Sequence, residues 1–99
     1  MTLRLRITVR AAGEIERADT WWRDNRLTVP GALREDLKAA FKLLLQQPGV
    51  GVKVAGTRLA GTRRIHLDRI RYFVYYRVRT EEVVILSVWH SSRGRVPRV

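Results

Sequence analysis

Residues 62–93 have the sequence TRRIHLDRIRYFVYYRVRTEEVVILSVWHSSR and decide the fold. Apolar residues alternate with other residues in three successive runs, a pattern typical of β-strands with one buried face. The polar breaks at 67–69 and 80–82 are short enough to be tight turns. We therefore predict a three-stranded antiparallel meander, whose inward side chains are Ile65, Leu67, Ile70, Tyr72, Val74, Tyr76, Val78, Val83, Ile85, Ser87 and Trp89.

The opposite face of the middle strand is expected to carry a mixture of arginine and aromatic side chains, namely Arg71, Phe73, Tyr75, Arg77 and Arg79. Solvent exposure alone does not require this mixture. One interpretation is that these are solvated strand residues whose charges discourage edge-to-edge pairing. The other is a platform that binds nucleic-acid bases or an acidic protein segment.

The first part of the chain predicts one strand and one helix. Residues 3–10 alternate strictly, with Leu3, Leu5, Ile7 and Val9 inward, and predict a half-buried strand. In residues 11–25 the apolar period lengthens to that of a helix, which carries Ile15, Ala18 and Trp22 on one face. The adjacent Trp21 is expected at the edge of that apolar stripe, so we interpret both tryptophans as packing residues.

A second helix is predicted between Thr28 and Gln47. Thr28 is a candidate cap, and Pro30 lies near the helix start, where a missing N–H costs little. The apolar stripe comprises Leu33, Leu37, Ala40, Phe41 and Leu44. Pro48-Gly49 ends the helix, and residues 48–61 are predicted to be a loop with a short extended piece at 52–54.

The order of elements is therefore β-α-α-β-β-β in a single domain that spans residues 1–99. We predict an α+β, two-layer architecture in which a helical hairpin packs on one face of a small, mainly antiparallel sheet. The first strand is expected at an edge of the meander or beside its last strand. The face away from the helices is then expected to be open.

The charge is strongly basic and unevenly distributed. The chain carries 20 basic and 9 acidic residues, a net charge of +11. Residues 1–50 hold 9 basic and 6 acidic side chains, whereas residues 51–99 hold 11 and 3. A high-GC genome would favour arginine codons, but such a bias does not explain the difference between the halves. The excess predicts a nucleic acid or an acidic protein as partner.

Several classes of protein are disfavoured by the sequence. There is no cysteine, and the two histidines have no metal-ligand spacing, so we expect no disulfide, no metal and no cofactor. The first residues lack the apolar segment of a signal peptide, and no apolar run approaches the roughly 20 residues that span a bilayer. We expect a cytoplasmic protein without a membrane partner.

The order of elements and four segments together resemble the RelE/ParE superfamily of toxins from type II toxin-antitoxin systems, also called plasmid stabilisation proteins. The segments are Pro48-Gly49-Val50-Gly51, Arg63-Arg64-Ile65-His66-Leu67, the tyrosine-rich middle strand 71–78, and the stretch 84–93 with its terminal His-x-x-Arg. The similarity covers nearly the whole chain. It implies a growth-inhibiting toxin that is neutralised by a cognate antitoxin, with operator DNA bound only indirectly through that antitoxin.

The resemblance leaves the target open between two classes. RelE-like members cleave mRNA on the ribosome without a metal. In this chain Arg64 or Arg63 falls near their strand arginine, and His90 with Arg93 falls at the position of their terminal basic cluster. ParE-like members poison DNA gyrase. No tyrosine follows Arg93, and Phe73 stands where many relatives place an arginine, so the sequence favours a ParE-like gyrase inhibitor over an endoribonuclease.

Each candidate residue also has a structural interpretation. His90 is a candidate general base and acid, with Arg64 and Arg93 as stabilisers of phosphorane charge, but a histidine at a strand end is commonly a hydrogen-bonded surface residue. His66 is a weaker candidate for a direct role. The expected binding residues are Arg63, Arg71, Phe73, Tyr75, Arg77, Arg79 and Lys53. A non-catalytic basic module for nucleic acid, or an inactive member that only binds antitoxin, remains an alternative.

Overall fold

The computed structural model describes residues 3–99 and confirms the two-layer α+β architecture. Two helices pack against one five-stranded sheet. The elements in chain order are β1 (Arg4–Ile7), α1 (Val9–Asn25), α2 (Ala32–Gln46), β2 (Val52–Lys53), β3 (Arg63–Leu67), β4 (Tyr72–Arg79) and β5 (Glu82–His90).

The strands lie in the order β1-β5-β4-β3-β2. The meander β3-β4-β5 is antiparallel as predicted, and the short β2 extends it by pairing with β3. The first strand was expected at an edge of the meander or beside its last strand. In the structure β1 is an edge strand of the sheet and lies beside β5. There β1 runs parallel to β5, with Arg4 opposite Glu82 and Ile7 opposite Ile85.

The first helix begins earlier than predicted. Thr8 adopts an extended conformation, and its hydroxyl accepts a hydrogen bond from the N–H of Ala11 at 3.1 Å. Such a cap satisfies one of the free N–H groups of the first turn, so the helix begins at Val9. Val9 was expected to point inward from a strand; it lies in α1 instead and is 92% exposed.

The connection between the helices also differs from the prediction. Thr28 does not cap α2, which begins at Ala32 after Gly31 and has no side-chain cap. The indole N–H of Trp22 donates to the carbonyl of Val29 at 2.8 Å, and the N–H of Val29 donates to Arg26. These bonds hold residues 26–31 as a turn.

The main core lies between the helices and the sheet. It buries the predicted stripes of both helices against inward residues of the meander, namely Ile15, Trp22, Leu33, Leu37, Leu44, Ile70, Val74, Tyr76, Val83, Ile85 and Val88. Trp22 is in this core while Trp21 is 45% exposed, as predicted for adjacent helix positions. Phe41 is only partly buried, because it lies at the margin of the helix stripe.

A β-bulge in β5 reverses the predicted orientation of its last residues. Tyr76 lies opposite Ile85 and Tyr75 lies opposite Ser87, so Leu86 has no counterpart on β4. An extra residue in one strand shifts the alternation of side chains by one position. Val88 therefore packs in the main core, whereas Trp89, which was predicted to point inward, lies on the opposite face.

The face away from the helices is less open than predicted. A second apolar cluster there comprises Tyr75, Val84, Leu86, Trp89 and Val99, with Val54 and Phe73 packed against it. The last residues of the chain fold back over this face. The N–H of Arg58 donates to the carbonyl of Val99 at 2.7 Å, and the indole N–H of Trp89 donates to the carbonyl of Arg95 at 2.9 Å.

Ion pairs connect the two helices of the hairpin. The guanidinium of Arg34 on α2 donates to Asp19 and Glu16 on α1, both at 2.8 Å, and Arg23 also donates to Asp19. Burial raises the pKa of the Asp19 carboxyl, but hydrogen bonds from Arg34 and Arg23 outweigh burial, and the pKa is lowered from its ordinary value of 3.8. Asp19 is therefore ionised in the folded protein near neutral pH.

Candidate functional site

The sheet face opposite the helices carries stacked arginine and aromatic side chains. On β3 and β4, the Arg64 guanidinium lies 4.2 Å from the centre of the Phe73 ring and donates to the Tyr75 hydroxyl at 3.0 Å. Cation–π stacking and a hydrogen bond thus hold Arg64 in one position. We call this surface the arginine face and define it by Arg64, Phe73, Tyr75, Arg77, Trp89, Arg93 and Arg95.

Trp89 organises the second half of the arginine face. Arg93 lies 4.1 Å from the centre of its indole ring, and Arg95 and Arg10 lie at 5.8 and 6.0 Å. The bulge at Leu86 is what brings Trp89 to this side of the sheet. Trp89, Arg95 and Arg10 were not predicted as site residues. Period-two alternation carries no sign of the bulge that moves Trp89, and the two arginines reach its ring from segments outside the sheet.

The three proposed catalytic residues line one small cavity. Its volume is about 250 Å³, and its walls include Arg64, His90 and Arg93 together with Phe73, Tyr75, Trp89 and Arg95. The grouping that was expected from the terminal His-x-x-Arg is therefore present, although it does not test the roles of these residues. His90 is the only residue in this lining whose side chain ordinarily titrates near neutral pH.

His90 is held in a defined tautomer. Its ring makes a T-shaped contact with its cross-strand neighbour Tyr72, at 4.9 Å between ring centres. Its Nδ1 accepts the N–H of Ser92 at 3.1 Å and lies 2.6 Å from the Ser92 hydroxyl, so the neutral ring carries its proton on Nε2. Burial, and then the charges of Arg93 and Arg71, lower the pKa of His90 below 6.5.

Arg63 and Arg71 lie away from the arginine face. Arg63 is opposite Tyr76 on the helix side, where it donates to the carbonyl of Gly51 at 2.7 Å, so it binds this chain's own backbone. Arg71 was expected on the middle strand but lies in the turn before it. Its φ of 61° is in the left-handed region, which ends the extended conformation, and its carbonyl accepts bonds from the N–H and hydroxyl of Ser91.

The remaining expected binding residues are more dispersed. Arg77 is half-buried on the arginine face, opposite Val84, and its Nε has no hydrogen-bond partner among the described residues. Arg79 lies at the far end of β4 opposite Glu82, and Lys53 is exposed on β2. Of the expected binding set, the structure places Phe73, Tyr75 and Arg77 on the arginine face.

The carboxylates of the chain are used elsewhere. Seven of the nine acidic residues form ion pairs with arginines, and these pairs lie within α1, between the two helices, between α2 and the β3–β4 turn, or at strand ends. The Asp68 carboxylate lies 2.6 Å from Nδ1 of His66. Within residues 3–99, none of the recorded ion pairs includes Arg64, Arg77, Arg93 or Arg95. The positive charge of the arginine face is therefore not neutralised internally.

A groove on the helix side was not predicted. It has a volume of about 660 Å³ and an apolar floor of Leu5, Ile7, Ile15, Leu37, Phe41 and Leu45. The charged residues of its lining are Lys38, Lys42, Arg34 and Glu16. The apolar stripe of α2 includes Leu45 and is therefore wider than packing on the sheet alone requires. This width is the signal from which the groove could have been inferred.

The described residues show neither a metal-binding group nor a membrane helix. In residues 3–99, no three His, Asp or Glu side chains cluster as metal ligands would. No helix in the same part of the chain is long and apolar enough to cross a membrane.

The comparisons with known proteins agree with this fold. Residues 5–95 match the family model described as ParE toxin of type II toxin-antitoxin system, parDE, and the chain therefore belongs to this family. No curated protein sequence matches it significantly.

Two solved structures share the fold. One is a chain of the chromosomal ParDE TA system from P. aeruginosa, with a TM-score of 0.71, 21% sequence identity, and 90% of this chain and 96% of that chain covered. The other is a double mutant of the E. coli toxin RelE in the free state, with a TM-score of 0.51, 24% identity, and 95% and 88% covered. At these identities the likeness concerns the fold.

Proposed function

We propose that this member of the ParE toxin family arrests bacterial growth by inhibiting DNA gyrase and is neutralised by a cognate antitoxin. The family match over residues 5–95 supports the toxin role. The observation that favours gyrase over mRNA is the composition of the cavity on the arginine face. It offers several fixed guanidinium groups but one ordinary acid-base group, His90.

Metal-independent RNA cleavage needs a base for the 2′-hydroxyl and an acid for the leaving oxygen. His90 alone would have to fill both roles. Its lowered pKa keeps the ring neutral at physiological pH, which suits a base but leaves no protonated acid beside it. A site that binds a macromolecule through arginine needs no such pair, so the geometry supports inhibition by binding.

The endoribonuclease remains the second candidate. Arg64, His90 and Arg93 line the same cavity, and guanidinium groups stabilise the charge that develops on a transferred phosphate. The fold shared with the RelE structure also favours it. The two candidates differ in what they require of His90.

The test combines induced expression with two assays of purified protein. We expect growth arrest, DNA-damage signalling, and inhibition of gyrase supercoiling that His90→Gln changes by less than about threefold. Normal growth with soluble protein present would contradict the toxin role. Codon-positioned cuts in mRNA that His90→Gln slows about a hundredfold or more, the usual size of a general acid-base contribution, would establish the endoribonuclease instead.

The helix-side groove has the features of a binding site for the antitoxin. Its apolar floor fits the nonpolar stripe of an amphipathic segment, and Lys38 and Lys42 favour acidic flanks on that segment, whereas the charge of Arg34 is already paired with Glu16 and Asp19. The groove also borders β1, whose second edge is unpaired among the described strands. We propose that an acidic amphipathic segment of the antitoxin binds here, rather than across the arginine face.

A further inference from the structure

The aromatic rings of the arginine face are engaged by guanidinium groups. Arg64 lies over Phe73 at 4.2 Å, and Arg93 lies over Trp89 at 4.1 Å. Tyr75 and Trp89 are also buried, at 1% and 8% exposure. Proteins that hold single strands offer free ring faces to the bases. The rings here instead position arginines.

The arginines keep most of their hydrogen-bonding capacity. A guanidinium has five N–H donors, and Arg64 uses one of them on the Tyr75 hydroxyl. Stacking fixes the plane of each head group before a ligand arrives, which lowers the entropy lost on binding. Planar donors of this kind match phosphate oxygens, which accept two parallel bonds.

The charge around the arginine face is of one sign. Arg93 and Arg95 are exposed, Arg64 and Arg77 are half-buried, and no recorded ion pair within residues 3–99 includes any of the four. Arg58 and Arg98 flank the same side, where they line a cavity with Leu86 and Val99 of the second cluster. Repeated cationic groups without specific partners favour a ligand with a repeated anionic group.

We propose that the arginine face binds the phosphate backbone of duplex DNA directly. This adds a partner to the proposed function, since a gyrase inhibitor meets its target while that target holds DNA. It also departs from the expectation that this chain meets DNA only through an antitoxin. Contacts to phosphates position a protein but carry no base information, so binding is independent of sequence.

Duplex DNA fits the observations better than the other polyanions. Single-stranded RNA or DNA would gain most of its affinity from base stacking, and the rings that would supply it are covered by arginine. An acidic protein segment would need apolar anchors beside its charges, and these are present in the helix-side groove. A duplex keeps the faces of its bases stacked inside and presents a regular array of phosphates outside, so it needs neither feature.

The test measures fluorescence anisotropy of a labelled duplex of about 24 base pairs and mixed sequence, without gyrase or antitoxin, over a range of salt. We expect binding that weakens with salt, and tighter binding to the duplex than to a single strand of equal length or to polyglutamate. The variant Arg64→Gln, Arg93→Gln, Arg95→Gln is expected to reduce the slope of log K against log salt by about 2.7, or 0.9 for each lost phosphate contact.

A matched variant removes the same charge from exposed positions of the two helices through Arg17→Gln, Lys38→Gln and Lys42→Gln, which lie outside the ion pairs of the hairpin, and it is expected to retain most of the slope. The double variant Arg93→Gln, Arg95→Gln changes only exposed side chains and is expected to lose about 1.8 of the slope without a folding risk. Equal losses in both triple variants, or a preference for the single strand or polyglutamate, would refute the inference.

The DNA-binding proposal and the gyrase proposal can be refuted independently. Gyrase inhibition without binding to the free duplex would refute DNA contact and leave the gyrase proposal standing. Duplex binding without gyrase inhibition would support DNA contact and refute the gyrase proposal.

Discussion

The hydroxyl of Tyr76, in the middle of the sheet, accepts a hydrogen bond from the backbone N–H of Gly51 at 2.8 Å. The same hydroxyl donates to the carbonyl of Pro48, also at 2.8 Å. One buried side chain of β4 thus satisfies two backbone groups of the segment that follows α2. Burial raises the pKa of the Tyr76 phenol, so it remains a donor at neutral pH.

The substitution Gly51→Ala should destabilise the protein. An added Cβ would lie 2.5 Å from the Tyr76 hydroxyl and 3.0 Å from the carbonyl of Arg64, closer than atoms pack. Overpacking of this kind costs about 1–3 kcal/mol, which a urea unfolding curve would measure. Gly49→Ala is the control, because its Cβ would meet nothing within 4 Å. Equal stability of the two variants would contradict the described contact.

Truncation of two neighbouring residues of α2 should have different effects. Leu44 is fully buried in the main core, so Leu44→Ala should cost about 2–5 kcal/mol. Phe41 is partly buried beside the groove, so Phe41→Ala should cost less than the 3–5 kcal/mol typical of a fully buried phenylalanine. Calorimetric unfolding of both variants would show which substitution lowers the free energy of unfolding more. A larger decrease for Phe41→Ala than for Leu44→Ala would contradict the described core.

Acid should weaken the helical hairpin through Asp19. Because the folded-state pKa of Asp19 lies below 3.8, the unfolded chain takes up the proton first as the pH falls. The stability from Asp19 is present above pH 3.8 and is lost as the pH falls through the folded-state pKa. Asp19→Asn should be less stable than the natural chain at neutral pH, and the difference should shrink in acid.

Urea unfolding midpoints between about pH 6 and pH 2 would measure this convergence. Asp24→Asn is the matched control, since Asp24 is exposed on the same helix and no recorded ion pair within residues 3–99 includes it. A difference between Asp19→Asn and the natural chain that stays constant with pH would show that the ion pairs to Arg34 and Arg23 do not stabilise the fold.

A negative charge introduced in the groove should release the antitoxin. Leu45→Glu places a carboxylate on the apolar floor, and an acidic segment would meet both an unpaired charge and lost contact area. We expect the dissociation constant to rise about a hundredfold or more, measured by titration calorimetry. Leu27→Glu is the control, because Leu27 is 79% exposed at the hairpin tip and does not line the groove. Equal affinities of the two variants would contradict this location.

Much of the fold could be predicted from the sequence because it depends on periodicity. The alternation in 62–93 identified the meander, and the helical spacing of Leu33, Leu37 and Leu44 identified the face that packs on it. These patterns reflect burial on one side of a regular element, which is a local property. The candidate set Arg64, His90 and Arg93 came instead from the resemblance to the RelE/ParE superfamily, and the structure places the three side chains around one cavity.

The errors arose where regular structure is interrupted. One extra residue at Leu86 moved Trp89 to the opposite face, and one hydroxyl at Thr8 began a helix two residues before Ala11. The cover over Tyr75 depends on backbone bonds from Arg58 to Val99, between segments with no apolar period. Such contacts are tertiary, so single-sequence patterns do not encode them.

The parallel pairing of β1 with β5 makes the order of synthesis matter. Residues 4–7 leave the ribosome before residues 82–85, with which they pair in the sheet. Contacts so distant in sequence form late in folding. Trp89, Arg93 and Arg95 are translated later still. A nascent or prematurely terminated chain that ends after β4 therefore lacks both the neighbour of its first strand and half of its arginine face. Translation must therefore pass β5 and Arg95 before the sheet and the arginine face can both be complete.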